Sequence, residues 1–304
     1  MGRNGNLFYQ TNEILKSRLA IGESKHADKI KLKEDGGTFG QSTYKIYSWE
    51  TYHAYKEEAK RFCEYLRAEI GVKSRSSIIN AEQYAVSYLN ALSERGVSIY
   101  ALKKTRSALG MLYGHTIDIK LPKRTKTDIK RSRIETASDK HFSRDGKHKD
   151  LFMLAVACGG RRGDIRRLTA DKFHDIDGHL YVEFLGSKGG RDRLAPVLPS
   201  SENAVRDFLA TKKHGEILFP KIDKNIDVHA LRREYAQKLH EETKTDKQLR
   251  DELLSVYPAR NENVKRDYYK TREGLVFNRD DVYLVTQALG HNRLDVSVTH
   301  YLTT

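Results

Sequence analysis

Between Leu121 and Ser138 the chain reads LPKRTKTDIKRSRIETAS. This stretch opens on a proline, is dense in lysine and arginine, and holds too few apolar residues for a helix stripe or a strand face. A chain of 304 residues with such a break reads as two globular bodies joined by a linker. Residues 122–136 are the basic linker, 45–121 the first body and 137–304 the second. Residues 1–44 are polar and punctuated by glycine, as in EDGGTFGQST. They read as a flexible arm with one short helix at most.

The first body is helical by its spacing. Trp49, Tyr52, Ala59, Phe62, Cys63 and Leu66 recur at intervals of three, four and seven, which puts them on one helical face. A second helix is expected over Ala81–Arg95, with Gly96 as its stop, and a third over Ser98–Gly114. Lys103, Lys104 and Arg106 lie on the other face of that third helix. Three helices with short connections make a small bundle. The second body opens on the apolar helix DLFMLAVACGG. HLYVEFLG and RLAPVLP follow as two strands around the turn SKGGRD, with a further strand near Lys172–Ile176. Helices resume over Ser201–Lys212, over Val228–Glu241 and at VYLVTQALG, with a charged insertion at about 242–280. The expected fold is therefore mainly α with a small antiparallel β-sheet.

Charge narrows the partner. Lysine and arginine number 55 against 41 acidic residues, a net charge of +14, which favours a polyanion and nucleic acid first. The basic linker adds Lys123, Arg124, Lys126, Lys130 and Arg131 as candidate phosphate contacts, beside Lys103, Lys104 and Arg106. Two cysteines, Cys63 and Cys158, without metal-ligand spacing, argue against a disulfide framework and a structural zinc site. The N-terminus lacks an apolar signal core, and no apolar run is long enough to span a bilayer. The expectation is a soluble, cytoplasmic protein with no membrane partner.

Four short stretches carry chemistry. ACGGRRGDI places Arg161 and Arg162 just past a buried helix, and GSKGGRDR places Lys188 in a strand turn. HALRRE sets His229 and Arg232 three residues apart on one helical face, and LGH sets His291 after a helix-stopping glycine. Singly, each also reads as a surface charge or a core histidine. Together they suit phosphoryl transfer, which needs donors for the extra negative charge on the non-bridging oxygens. Arginine donates bidentate hydrogen bonds and keeps its charge, and a lysine can protonate a leaving oxygen. No serine or cysteine has an evident base partner, and no carboxylate cluster stands ready to hold catalytic metals. A tyrosine can supply the nucleophile, because a cationic pocket favours its phenolate.

In this order the stretches resemble the signature of the tyrosine recombinases, the phage-type integrases. The resemblance runs from about residue 150 to the end, and the basic bundle before it is similar in layout to the family's core-binding domain. It implies a DNA breaking-rejoining fold in the catalytic domain. The first family arginine matches Arg161, with Asp164 as its supporting carboxylate, and Arg162 is the alternative if the register slips by one. CGGRR stands where TGLR is more usual. The family's turn lysine matches Lys188, its HxxR motif matches His229 and Arg232, and its LGH motif matches Leu289-Gly290-His291. The nucleophile then falls on Tyr301, ten residues after His291, a step that fits the family's spacing. Tyr268 and Tyr269, in the insertion, are the next tyrosines to test. Only Leu302, Thr303 and Thr304 follow Tyr301, where the family carries a segment that docks on an adjacent protomer.

The resemblance implies that Tyr301 attacks a scissile phosphate, forming a 3′-phosphotyrosyl bond and freeing a 5′-hydroxyl. Arg161, Arg232 and His291 would stabilise the transition state, Lys188 would be the general acid, and His229 would assist proton transfer or hold the phosphate. No cofactor, ATP or metal is implied. The implied partners are double-stranded DNA recombination sites, further copies of the chain in a dimer to tetramer on DNA, and an accessory excision factor. The two domains would close on DNA as a C-shaped clamp and exchange strands through a Holliday junction, with integration of a mobile element as the expected task. A type IB-like topoisomerase or a dimer-resolving recombinase would use the same chemistry. A DNA-binding regulator on the same fold would use none of it.

Overall fold

The computed structural model describes residues 6–38, 41–73, 76–122, 142–187, 191–260 and 266–302. Lys123, Arg124, Lys126, Lys130, Arg131 and Lys188 lie outside the described residues. The chain divides into two compact units, residues 1–130 and 131–304.

Among the described residues, the regular elements of the first unit are helices. Its described helices are α1 (Leu7–Ser17), α2 (Lys25–Glu34), α3 (Trp49–Ala68), α4 (Ala85–Glu94) and α5 (Ile99–Tyr113). Their ends are written in the sequence. The Ser48 side chain accepts from the Thr51 N–H at the start of α3, and Ser98 does the same for Ala101 at the start of α5. Gly114 ends α5 in the left-handed region, at φ 79°. The arm expected over residues 1–44 is corrected here. Leu7 and Leu15 of α1 are fully buried with Phe62, Leu66, Leu109 and Met111 among the residues of the unit's two apolar clusters. The apolar spacing of LFYQTNEIL was masked by its polar flanks, and burial of its leucines holds the segment in the core.

The second unit begins with α6 (Lys149–Cys158), buried on nearly every face, and the short α7 (Arg162–Arg167). Strands β1 (Phe173–Ile176), β2 (His179–Ser187) and β3 (Arg191–Pro196) form an antiparallel sheet in the order β1-β2-β3. Asp177 and Gly178, both at positive φ, close the first hairpin. In the second, Phe184 faces Arg193 and Ser187 faces Arg191, with an irregularity between them. Then come α8 (Glu202–Ala210), α9 (Val228–Lys244) and α10 (Lys247–Leu254). A two-stranded ribbon of β4 (Tyr268–Lys270) and β5 (Val276–Asn278) precedes α11 (Arg279–Ala288) and α12 (Leu294–Ser297). One π-helical turn, Val298–Leu302, follows.

The expected insertion at 242–280 shrinks in the structure. Helix α9 runs on to Lys244, and α10 buries Leu253 while Arg250 pairs with the buried Asp281 at 3.1 Å. High charge concealed this, because the buried side of α10 rests on few residues. What remains outside the core is the ribbon, with Tyr268, Leu275 and Val276 exposed. No helix among the described residues is long and apolar enough to cross a membrane.

Candidate active site

Arg161, His229, Arg232, His291 and Tyr301 meet at one cavity of about 620 Å³ in the second unit. Each is delivered by a distinct local device. Helix α6 stops at Gly159, whose φ is +61° and where a Cβ would fall 2.2 Å from the Tyr235 ring. Only glycine turns the chain there. The turn places Arg161 at the N-cap of α7, where its backbone N–H donates to Asp164 Oδ2 at 3.1 Å. The Arg161 guanidinium donates to the Leu289 carbonyl at 3.3 Å. Arg162 also borders the cavity, but its guanidinium donates to the carbonyls of Asp223 at 2.9 Å, Ile222 at 3.3 Å and Ile226. Its donors hold the loop before α9, whereas Arg161 shares the Leu289 carbonyl with Arg232.

Asp227 caps α9 by accepting from the Ala230 N–H, which starts the helix just ahead of His229 and Arg232. Arg232 is 1% exposed and donates to the carbonyls of Gly159 and Leu289. Among the described residues it has no carboxylate at ion-pair distance, and its Nε has no hydrogen-bond partner. At the end of α11, Gly290 takes φ +61° and the His291 N–H returns to the Thr286 carbonyl at 2.9 Å. The His291 Nδ1 lies 3.1 Å from the Ser297 hydroxyl. The π-helical turn then brings Tyr301, 5% exposed, between the two histidines. Its ring centre is 5.6 Å from that of His229 and 5.2 Å from that of His291, and the Arg232 guanidinium stands 5.9 Å from it.

The electrostatics follow from buried cations with few anions beside them. Burial, and then the fields of Arg232, Arg161 and Arg193, push the His291 imidazole down to about 3. Burial, followed by Arg233 and Arg232, lowers that of His229. Burial and then Arg193 bring Arg232 down to about 10, so it stays charged near neutral pH. Two neutral imidazoles and two guanidiniums around one phenol can bind an anion, donate hydrogen bonds to it and accept a proton.

Below this cluster lies an arginine that the sequence reading missed. Arg193, on β3, is buried and donates to Asp164 Oδ2 at 3.2 Å, to the Ala288 carbonyl at 2.5 Å and to the Gly159 carbonyl at 3.5 Å. It also lies over the Phe184 ring at 4.0 Å. The turn carrying Arg161 and the turn carrying His291 are thereby tied to one guanidinium. Asp164 also accepts from the Ser187 hydroxyl at 2.9 Å. Burial works against its charge, but Arg193, the Arg161 N–H and Ser187 outweigh it and hold the carboxyl below its ordinary range. The one signal for Arg193 was strand parity, since it shares the inward face with Ala195.

No protein-family model matches the sequence, and no curated protein does. Solved structures do match. The crystal structure of XerH site-specific recombinase bound to palindromic difH substrate, a post-cleavage complex, is 15% identical, with a TM-score of 0.51. The match covers 98% of this chain and 92% of that one. The XerH pre-cleavage complex with difH is 16% identical at the same TM-score, covering 98% and 94%. The chain has the tyrosine-recombinase fold. In this recombinase fold the sequence-predicted residues fare differently. Arg161, His229, Arg232, His291 and Tyr301 converge, and Asp164 supports them from below. Tyr268 and Tyr269 sit on the ribbon and do not line the cavity. In the first unit, Lys104 pairs with the buried Glu58 at 2.7 Å and Arg106 donates to the Ile117 carbonyl at 2.8 Å. Both therefore have structural partners, while Lys103 is exposed.

Proposed function

We propose that the chain is a site-specific DNA recombinase that cuts and rejoins strands through Tyr301. The observation that carries this reading is the placement of a buried phenol between two histidines beside Arg232, which has no carboxylate at ion-pair distance among the described residues. A phosphodiester supplies the anion such a cavity favours. In the reaction, Tyr301 Oη bonds to phosphorus as its proton passes to the neutral His229. The bond from phosphorus to the 5′ oxygen breaks, and that oxygen takes up a proton from Lys188. Arg161, Arg232 and His291 donate to the non-bridging oxygens while their charge grows. The phosphotyrosyl bond conserves the ester, so a second 5′-hydroxyl can reverse the steps on another strand.

The same reading extends to a Holliday junction made by paired protomers, as a dimer to tetramer on DNA, and to integration of a mobile element. The similar XerH recombinase is bound to its difH substrate in both crystal structures, which supports DNA as the partner of this chain. The test is a duplex nicked near the cleavage site, so that the cut strand diffuses away and a covalent protein–DNA adduct accumulates. Recombinant products from paired sites separate this reading from a type IB-like topoisomerase, which relaxes supercoils without them.

A further inference from the structure

We propose that Ser297, itself held by Thr286, fixes His291 in the tautomer that carries its proton on Nε2, so that the ring donates a hydrogen bond into the cavity. The argument is an inventory of donors. Ser297 is fully buried and Thr286 nearly so. The Thr286 hydroxyl donates to Ser297 Oγ at 2.9 Å, and His291 Nδ1 lies 3.1 Å from that same oxygen. If Nδ1 carried the proton, Ser297 Oγ would accept two hydrogen bonds and its own proton would have no partner among the described residues. An unpaired donor at such depth is costly. If Nδ1 is bare, the chain closes: Thr286 donates to Ser297, and Ser297 donates to His291. The proton then sits on Nε2, the ring nitrogen left to serve the cavity that His291 lines.

The surroundings favour this arrangement. Burial, and then Arg232, Arg161 and Arg193, keep the ring from taking a second proton, so His291 can act as a donor only through the right tautomer. With the proton on Nδ1, a lone pair would face the cavity and repel a phosphate oxygen. The relay also links two elements, since Thr286 lies on α11 and Ser297 ends α12. Ser297 and Thr286 are thus positioning residues, acting through His291. The inference rests on reading the cavity as a phosphodiester site.

The experiment reads the tautomer directly. Protein labelled with ¹⁵N-histidine gives nitrogen–proton correlations that report which ring nitrogen is protonated, and His291→Asn identifies the signal. The full chain should show His291 protonated on Nε2, and Ser297→Thr should keep that pattern. Ser297→Ala and the isosteric Thr286→Val should both release it to a mixture. Adduct formation on the nicked duplex should fall roughly tenfold in Ser297→Ala and stay within about threefold in Ser297→Thr. Protonation on Nδ1 in the unsubstituted chain, or an unchanged pattern in both Ser297→Ala and Thr286→Val, overturns the proposal. The predicted tautomer in a chain that forms no adduct on any cognate DNA would leave the relay standing and remove the recombinase reading instead.

Discussion

The residues of the cavity work as a set because Arg161 and Arg232 share one partner, the Leu289 carbonyl. Arg232 is fixed by carbonyls, which orient a guanidinium without cancelling it, whereas Asp164 lies 3.2 Å from Arg193 and 3.8 Å from Arg161. Asp164→Asn should therefore leave Arg193 buried without its anion and cost about 3–5 kcal/mol. Denaturant unfolding of the second unit measures it, and a change under 1 kcal/mol would show that the carbonyls suffice. His291 makes the site sensitive to acid. Its folded value, about 3, lies below the ordinary ~6.5 of an unfolded histidine. Above that ordinary value both states are neutral and it contributes nothing. As pH falls below it, only the unfolded chain takes up the proton, so stability is lost progressively toward pH 3. At pH 5 this amounts to about 2 kcal/mol. Melting curves at pH 7 and pH 5 should therefore converge in His291→Asn, relative to the unsubstituted chain. At this scale the sequence was legible where a motif spans few residues, as in HALRRE and LGH. It was opaque for Arg193 and Ser297, whose roles arise from contacts with Asp164 and His291, 29 and 6 residues away.

At the scale of elements, glycines decide where the turns that line the cavity form. Gly159 and Gly178 both have positive φ, but a Cβ at Gly159 would strike the buried Tyr235 ring, whereas one at Gly178 would meet nothing within 4 Å. Gly178→Ala should cost only the conformational penalty of about 1–2 kcal/mol. Gly159→Ala should cost clearly more and displace Arg161, lowering adduct formation as well as the melting temperature. Equal losses would mean that the ring yields. Element positions were readable where local chemistry is strong. Ser48, Ser98 and Gly114 bound α3 and α5 as their residue types dictate. The sequence misled where a buried stripe is short, as in α1 and α10. There the decision lies in distant packing partners such as Phe62 and Asp281, which no local window contains.

Across the whole molecule, the proposed function assigns DNA affinity to the excess of positive charge and chemistry to a small buried site, and the two should be separable. Lys103 is exposed and Lys104 neutralises the buried Glu58, so the neighbours predict opposite phenotypes. Lys103→Ala should weaken DNA binding severalfold and flatten its salt dependence without altering melting. Lys104→Ala should lower melting of the first unit. A destabilised Lys103→Ala, or an unaffected Lys104→Ala, would show that their roles are reversed. The central claim is that Tyr301 forms a covalent bond to DNA. Its most direct measurement is peptide mapping of the adduct trapped on a nicked duplex, run beside Tyr301→Phe. The account predicts a phosphotyrosyl linkage at residue 301, and in Tyr301→Phe no adduct but retained DNA binding. An adduct that persists in Tyr301→Phe, or maps to Tyr268 or Tyr269, would contradict it.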